Sequence, residues 1–413
     1  MLRFLHLSDI HLDAVYGRYP EVVRSALKAG LKKSFEKAVN FTIEESLDCL
    51  VLAGDICDRP EVSYQTERFL RTQFQRLLDN NIHVIMLHGN HDPSQNFSWV
   101  DMGDNVHVVN SPEPVKIDLQ THRGHSLVIH ANGFEKREEK HSNLEAFEMG
   151  SKDAFHVGVM HTFTVGGTSA NEHDPYMQTT FNELMSKNYD YWALGHIHKM
   201  QMWPEYKAAY SGSLQGLNPN ETGPKGGILV EIHAPGEQAQ LSFKDFSVLE
   251  FVTLYEDIEG ENDQLHDVSK KIVKGIEAYK AEKANENRPK SLIVKLVLEG
   301  STNLYSELKR VQTLDELTAD IRENAQVLYI DLVTDRLTPH FDKRHILKGS
   351  PFASFIDSIM QDGVMREELL EYAKSESFAE MPEAGPDQVK WLNDLLTQVG
   401  NEWLVRMVDN NEN

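Results

Sequence analysis

Short apolar runs alternate with longer amphipathic stretches over the first 90 residues of the chain. Residues 2–11, 49–53 and 83–87 have the length and composition of buried strands. Residues 22–46 and 64–80 carry apolar side chains at helical spacing instead. Strands that alternate with helices predict a parallel sheet with helical crossovers. In such folds ligands bind beyond the carboxyl ends of the strands, so the loops that follow these strands are the expected functional edge.

The pattern changes further along the chain. Five later apolar runs predict strands at residues 127–129, 155–160, 191–194, 208–211 and 227–233. Because few helices separate these runs, we expect a second, partly antiparallel sheet that packs on the first. Residues 135–153 are dense in charge and are predicted to form a surface helix. The sequence therefore predicts an α/β fold with two sheets.

A third pattern begins near residue 249 and contains no metal-binding motif. Strands alternate there with helices, at residues 251–258, 263–283, 292–298, 304–318 and 327–333. From residue 340 onward the sequence is helical and acidic, and residues 361–413 carry a net charge of −8. We therefore predict a first domain at residues 1–249, a small α/β domain at 250–337 and a helical carboxyl-terminal segment at 338–413.

Composition limits the class of protein. The chain has 413 residues, of which 40% are hydrophobic, as is ordinary for a globular protein of more than one domain. Its apolar runs are too short and too often interrupted by charge or histidine to span a membrane. Arg3, His6 and Asp9 interrupt any signal-peptide core, so we expect a cytoplasmic protein. Its two cysteines can build neither a disulfide framework nor a thiolate zinc site.

The net charge of −23 bears on the substrate. It argues against a surface that binds nucleic acid by phosphate neutralisation alone. Phosphate substrates are still compatible with it, because two divalent cations would bring positive charge against the carboxylates Asp9 and Asp55. The acidic segment 361–413 suits a protein partner better than nucleic acid, and packing on the protein's own body explains its apolar stripes equally well.

Side chains that bind metals recur at the ends of the predicted strands. The candidate ligands are Asp9, His11, Asp55, Asn90, His161, His196 and His198. Residues two apart in an extended strand point the same way, which predicts that the first two reach one cation together. Any single histidine is more often structural than a ligand, but five such motifs at strand ends together predict a two-metal site.

The donor set also indicates the chemistry. Oxygen and imidazole ligands without thiolates suit manganese, iron or zinc better than calcium. A pair of such ions can bind the oxygens of a phosphate ester and activate water, which predicts phosphoester hydrolysis. His91 is placed either to stabilise the pentacoordinate phosphorus or to protonate the leaving oxygen. Asp92 is placed to orient the His91 imidazole, and Asp58 to support the ligands from outside.

With these motifs, residues 1–250 resemble the calcineurin-like metallophosphoesterases. Within that superfamily, residues 6–13 and 189–199 resemble the SbcD-type DNA repair exonucleases, and residues 211–226 resemble their YhaO-type subgroup. The resemblance implies a four-layer α/β/β/α sandwich that binds two manganese ions. It also implies a small capping domain that contacts DNA, and a helical carboxyl-terminal segment that docks on the coiled coil of an SMC-like ATPase.

The resemblance assigns the ligands to two ions. It implies that one ion is held by Asp9, His11, Asp55 and His198, and the other by Asp55, Asn90, His161 and His196. Asp58 departs from the archaeal and eukaryotic members, which carry a histidine at that position. The roles assigned to that histidine therefore do not carry over.

Three functions stay open at this point. The leading hypothesis is a manganese-dependent DNA phosphodiesterase, an exonuclease or an endonuclease, that works in DNA repair with an SMC-like ATPase, either as a monomer or as a homodimer. The second is a phosphoesterase for small substrates such as cyclic nucleotides, which needs the same ligands. The third is a non-catalytic scaffold for the ATPase whose metal site is vestigial.

Overall fold

The computed structural model of the chain falls into two units. The first unit comprises residues 1–252 and 290–293, and the second comprises residues 253–289 and 294–413. The described residues are 1–59, 61–93, 103–166, 175–259, 264–285, 290–340 and the single positions 358, 371, 390 and 391. The helical segment predicted at 338–413 therefore lies almost wholly outside the described residues.

The first unit begins with alternating strands and helices and continues mainly as β-structure, which confirms the predicted α/β fold. Its elements in chain order are β1 (Leu2–Leu7), α1 (Glu21–Glu44), β2 (Cys49–Leu52), α2 (Tyr64–Leu78), β3 (His83–Leu87), β4 (Val106–Val109), β5 (Val115–Gln120), β6 (Ser126–Asn132), β7 (Phe155–His161), β8 (Thr164–Val165), β9 (Thr179–Thr180), α3 (Phe181–Ser186), β10 (Tyr191–Gly195), β11 (Gln201–Trp203), β12 (Ala208–Tyr210), β13 (Gly226–Ile232) and β14 (Gln240–Asp245).

Two six-stranded sheets form the body of the first unit, as far as its residues are described. The first sheet has the order β14-β13-β1-β2-β3-β4, and the second has the order β11-β12-β10-β7-β6-β5. Strands β1 to β4 are parallel, while β13 is antiparallel to both of its neighbours. In the second sheet the two edge strands are antiparallel and the inner strands parallel. The second sheet is thus partly antiparallel as predicted, but the run at residues 227–233 joins the first sheet as β13.

The core of the first unit lies between the two sheets. Alternate side chains of each strand point into it, among them Phe4 and Ile85 from the first sheet and Val157 from the second. Helix α1 packs against β13 and α2 against β3. On the other face of the second sheet, α3 covers Trp192. Gly158 lies beneath the Trp192 ring. A larger residue does not fit at this position, since a β-carbon would come within 2.2 Å of the ring.

Residues 135–153 do not form the predicted surface helix. The chain there is irregular apart from a short 3₁₀ turn at Leu144–Ala146. Phe147 inserts into the apolar cluster on the outer face of the second sheet. The Lys187 ammonium donates to the carbonyl groups of Glu145 and Phe147, at 3.0 and 2.7 Å. These tertiary contacts satisfy backbone groups that a helix would pair internally, and charge density alone does not foretell them.

The second unit alternates strands and helices as the sequence predicts. Its elements are β15 (Leu249–Asp257), α4 (Leu265–Asn285), β16 (Ser291–Thr302), α5 (Val311–Asn324) and β17 (Tyr329–Pro339), and the first residues of β15 and β16 belong to the first unit. The strands form one sheet in the order β15-β16-β17. The helix predicted from residue 304 begins later, because a 3₁₀ turn occupies Glu307–Lys309. In the described parts of both units, no helix has the length and apolarity that a membrane crossing requires.

His6 lies in the middle of β1 and has an abnormal titration. Its side chain is fully buried, and its Nδ1 atom is 3.0 Å from the Tyr191 hydroxyl. Burial lowers the pKa of His6 to about 3, whereas an unfolded histidine titrates near its ordinary value of 6.5. Between these two pKa values the unfolded chain takes up a proton that the folded chain does not. Folding stability therefore falls as the pH falls through this window.

We expect His6 to lower the free energy of unfolding by about 2 kcal/mol between roughly pH 7 and pH 5. The His6→Gln variant lacks the titrating ring and should lose this part of the pH dependence. Urea denaturation at both pH values, followed by tryptophan fluorescence, measures the difference. Equal changes with pH in the two proteins would contradict the assignment.

Candidate metal centre

The candidate ligands gather where strands of both sheets end. β1, β2 and β3 of the first sheet, and β7 and β10 of the second, each end with or shortly before one of them. The backbone N–H of Asp9 donates to the Gly54 carbonyl at 3.1 Å. The N–H groups of Ile10 and His11 donate to the Asp55 carbonyl at 2.9 and 3.0 Å. These bonds join the loop after β1 to the loop after β2.

The backbone is strained at several of these positions. Asp9, His11 and Asp55 have φ values of 49°, 51° and 52°, and His196 has a φ of 101°. Residues with a side chain rarely adopt such values. Asp9 and His11 do converge, but the prediction that they lie two apart in an extended strand is wrong. β1 ends at Leu7, and both residues follow it with left-handed backbone conformations. Strain of this kind persists where surrounding hydrogen bonds enforce it, and it is frequent at functional sites.

Two motif glycines allow the loops to approach each other closely. A β-carbon on Gly89 would lie 2.2 Å from Asp55 Oδ1. A β-carbon on Gly54, which has a φ of 92°, would lie 2.4 Å from His161 Nδ1. Any larger residue at these two positions would displace a candidate ligand.

Asp9, His11 and His198 form the first group of ligands. One ligand atom of each lies within 4.8 Å of the others. The Nε2 atoms of His11 and His198 are 3.2 Å apart, and His198 Nε2 is 3.8 Å from Asp9 Oδ1. Asp9 is fully buried, whereas 26% of the His198 side chain is exposed. The group therefore opens to solvent on the side of His198.

Asp55, Asn90 and His161 form the second group. His161 Nε2 lies 3.0 Å from Asn90 Oδ1 and 3.3 Å from Asp55 Oδ2. The same Asp55 oxygen is 3.7 Å from His11 Nε2, so this carboxylate stands between the two groups. The His196 ring packs against the His161 ring with centroids 5.3 Å apart. The structure thus brings all seven predicted ligands together.

Hydrogen bonds on the outer side of two rings determine which nitrogen atoms face inward. His11 Nδ1 is 3.1 Å from Asp58 Oδ1, and His198 Nδ1 is 3.1 Å from Glu221 Oε1. A carboxylate accepts, so we assign a proton to each Nδ1. The two Nε2 atoms then face each other as lone pairs at 3.2 Å. Two lone pairs at that distance repel each other unless a cation, either a metal ion or a proton, lies between them.

His161 has the same arrangement. Its Nδ1 donates to the Ala53 carbonyl at 2.9 Å, which leaves Nε2 directed at the oxygens of Asn90 and Asp55. Burial alone would lower the pKa of His161, but the Asp55 carboxylate raises it to about 9. A proton on Nε2 therefore takes the place of a cation in the metal-free chain. Buried lone pairs of oxygen and imidazole that converge in this way fit a divalent metal ion.

His91 lies beside the ligands and is oriented by Asp58. Its Nδ1 is 3.4 Å from the Asp58 carbonyl oxygen and 3.5 Å from Asp58 Oδ1, and its backbone N–H donates to Asp55 Oδ1 at 2.9 Å. The hydrogen bond to Asp58 raises the pKa of His91 to about 9, although partial burial opposes this. Burial would raise the pKa of Asp58, but hydrogen bonds from His11 and His91 hold it below its usual range. A protonated His91 next to the ligands can serve as a proton donor.

Asp92 binds the backbone in the described part of the chain, so its predicted contact with the His91 imidazole is wrong. Its Oδ2 accepts hydrogen bonds from the N–H groups of Ile56 and Cys57, at 2.7 and 3.0 Å. Its Oδ1 accepts one from the N–H of Gly89 at 2.7 Å. The Asp92 carboxylate therefore joins the loop after β2 to the loop after β3.

No role was predicted for Glu221, whose carboxylate binds the outer nitrogen of His198. Only 10% of its side chain is exposed, in the loop between β12 and β13. Metal-binding histidines commonly donate their second N–H to a carboxylate, so such a partner was to be expected. Nothing in the sequence singles out one of the 64 acidic residues for this role.

Known proteins resemble this chain in sequence. The model of the calcineurin-like phosphoesterase family matches residues 2–200. A Bacillus subtilis protein named uncharacterized metallophosphoesterase YhaO is 32% identical over 237 residues, which cover 56% of this chain and 57% of that protein. A DNA double-strand break repair protein Mre11 from Methanocaldococcus jannaschii is 24% identical over 237 residues, covering 53% and 58%. One from Sulfurisphaera tokodaii is 22% identical over 398 residues, covering 91% and 95%.

The similarity to the first two relatives is partial, since the chain spans little more than half of their length. The family match covers the stretch that holds β1, β2, β3, β7 and β10, whose ends carry the candidate ligands. It implies divalent metal ions at the place where the buried lone pairs converge. Residues 2–200 of this chain therefore belong to the calcineurin-like phosphoesterase family.

Proposed function

We propose that the protein is a two-metal phosphodiesterase that hydrolyses DNA during repair, as an exonuclease or an endonuclease. The observation that carries the metal part of this proposal is the pair of imidazole lone pairs, on His11 and His198, that face each other at 3.2 Å. The Asp55 carboxylate, which lies between both ligand groups, supports two ions rather than one. Oxygen and imidazole donors suit manganese, iron or zinc, and manganese is the proposed metal among these because the resemblance to the SbcD-type exonucleases implies it.

The side chains have two different roles in the proposed reaction, metal binding and proton donation. The proposed ligands of the two ions are Asp9, His11, Asp55, Asn90, His161, His196 and His198. When bound, divalent ions at this place would bind phosphate oxygens and lower the pKa of water. His91 holds a proton, and Asp58 occupies its Nδ1, so Nε2 is the atom that can donate to the leaving oxygen. The oxygen of water forms a new bond to phosphorus, the ester P–O bond breaks, and the leaving oxygen takes the His91 proton and departs as a neutral alcohol.

The proposed substrate rests on the relatives. Two of them are named as DNA double-strand break repair proteins, and one of these aligns with 91% of this chain. The net charge of −23 favours a second candidate, a phosphodiesterase for small substrates such as cyclic nucleotides. The same ligands serve both reactions, so only the substrate distinguishes them.

The proposed partner is an SMC-like ATPase that binds the carboxyl-terminal segment, residues 338–413. Apolar residues at helical spacing in that segment, and its net negative charge, support a protein partner. A homodimer of the chain is a separate proposal.

Labelled linear and circular DNA, incubated with the protein in manganese, test the proposed substrate. We expect cleavage of the linear DNA that requires metal, that is absent from the His91→Ala variant, and that the ATPase increases. Cyclic nucleotides and bis-p-nitrophenyl phosphate serve as parallel substrates. Hydrolysis of the small substrates without any cleavage of DNA, with or without the ATPase, would favour the second candidate.

A further inference from the structure

We infer that Glu221 is a positioning residue that holds the His198 imidazole in the orientation required for metal binding. This inference rests on the proposed metal-binding role of His198. It extends that proposal to the loop between β12 and β13, which ends 27 residues after His198 at Lys225.

The Glu221 carboxylate is itself held in place on both oxygens. Oε1 lies 3.1 Å from His198 Nδ1 and 2.6 Å from Asn218 Nδ2. Oε2 accepts a hydrogen bond from Ser213 Oγ at 2.8 Å and one from the Leu217 N–H at 3.3 Å. A carboxylate bound by three donors besides the histidine has little freedom to turn. It can therefore impose its own orientation on the His198 ring.

The same loop also binds the backbone of His198. The His198 carbonyl accepts hydrogen bonds from the Ser213 N–H at 3.0 Å and from Lys225 Nζ at 3.2 Å. A β-carbon on Gly212 would lie 2.9 Å from that carbonyl oxygen, so the two segments are in direct contact. The loop thus fixes both the main chain and the ring of this ligand.

His198 needs this support more than the other imidazoles do. Its side chain is 26% exposed, whereas those of His11 and His161 are 1% and 0% exposed. Packing restrains the two buried rings on all sides, but it covers less of the His198 ring. Hydrogen bonds must therefore hold the orientation of the His198 ring, as packing holds the orientations of the His11 and His161 rings.

Glu221 also affects the chemistry of the ligand. By accepting the Nδ1 proton, it keeps the lone pair on Nε2, the atom that faces His11. It also makes that lone pair more basic, because the nearby negative charge offsets the positive charge that Nε2 gains on binding a cation. Losing such an outer partner typically weakens metal binding about 10- to 100-fold.

Isothermal titration calorimetry of manganese into the metal-free protein tests the inference without any substrate. We expect Glu221→Ala to weaken the binding of one of the two manganese ions about 10- to 100-fold and to leave the affinity for the other ion unchanged. Glu221→Gln keeps an oxygen acceptor but removes the charge, so it should lie between Glu221→Ala and the wild type. Glu237→Ala, which removes an exposed carboxylate from the β13–β14 connection, is the matched control and should bind as the wild type does.

The His198→Ala variant distinguishes a failure of the proposed metal site from a failure of the role proposed for Glu221. If it loses one ion while Glu221→Ala binds both normally, His198 is a ligand and the role of Glu221 is refuted. If both Glu221 variants lose affinity for the two ions equally, together with a lower melting temperature of the metal-free protein, Glu221 is merely structural and the inference fails. If His198→Ala itself binds both ions normally, the proposed metal site is wrong and the inference falls with it.

Discussion

Replacing His91 with alanine is expected to leave both metal ions bound and to reduce turnover by about 10²- to 10⁴-fold. The imidazole contacts Asp58 and lies outside the two proposed ligand groups, although one of its nitrogens is within 4.8 Å of ligand atoms of His11 and Asp58. Its loss therefore removes none of the seven proposed metal donors. It does remove a group whose pKa is raised to about 9 and which is therefore protonated at neutral pH. Metal analysis after gel filtration, beside hydrolysis of bis-p-nitrophenyl phosphate in manganese, measures both quantities.

The matched variant is Asp55→Ala, which is expected to lose both metal and turnover. Its Oδ2 lies 3.7 Å from His11 Nε2 and 3.3 Å from His161 Nε2, so both groups depend on it. The two variants should differ in metal content even though His91 and Asp55 are in contact. That contact is a hydrogen bond from the backbone N–H of residue 91 to Asp55 Oδ1, so it remains when the His91 side chain is replaced by alanine. Equal loss of metal from both variants would refute the separate roles.

Convergence of the candidate ligands was predictable because each lies at the end of a strand or within a few residues after it. Asp9, Asp55 and Asn90 come soon after β1, β2 and β3, and parallel neighbouring strands present their carboxyl ends at one edge. This rule needs no knowledge of loop conformation. It therefore holds although the backbone of Asp9 and Asp55 is left-handed rather than extended.

Roles that depend on the direction of a single side chain were not predictable in the same way. Asp92 follows His91 in sequence, which suggested contact, but in an irregular loop adjacent side chains have no fixed relation. The orienting carboxylate comes instead from Asp58, in another loop. Glu221 lies outside every metal-binding motif, and only the path of the chain after β12 brings it to His198. Side-chain partners across loops are set by tertiary contacts, which a local pattern does not encode.

The position of β13 shows the same limit at the level of the fold. The apolar run at residues 227–233 was correctly identified as a strand, but its place beside β1 depends on a pairing between the two ends of the unit. The register joins Leu2 to Ile232 and Phe4 to Val230. Both strands present apolar side chains on both faces, so several neighbours would satisfy their burial equally well.

Replacing Asp92 with alanine is expected to destabilise the first unit by about 3 kcal/mol or more. The change removes the acceptor of three backbone N–H groups, those of Gly89, Ile56 and Cys57. Each buried donor left without a partner costs about 1–3 kcal/mol, and Asp92 is almost fully buried, so water does not readily replace the carboxylate. Urea denaturation of the metal-free protein measures the loss directly, without a contribution from bound ions.

Asp58→Ala is the control that separates stability from catalysis. Its carboxylate is 25% exposed, and its side chain binds the imidazoles of His11 and His91 rather than the backbone. We therefore expect this variant to unfold in urea close to the wild type while its turnover falls, since His91 loses both its orienting partner and the interaction that keeps it protonated. If Asp92→Ala proved as stable as the wild type, or if Asp58→Ala were the less stable of the two, the division between a carboxylate that joins loops and one that orients an imidazole would be wrong. The division matters because the sequence places both carboxylates beside the same motifs, and only the hydrogen bonds they accept distinguish their functions.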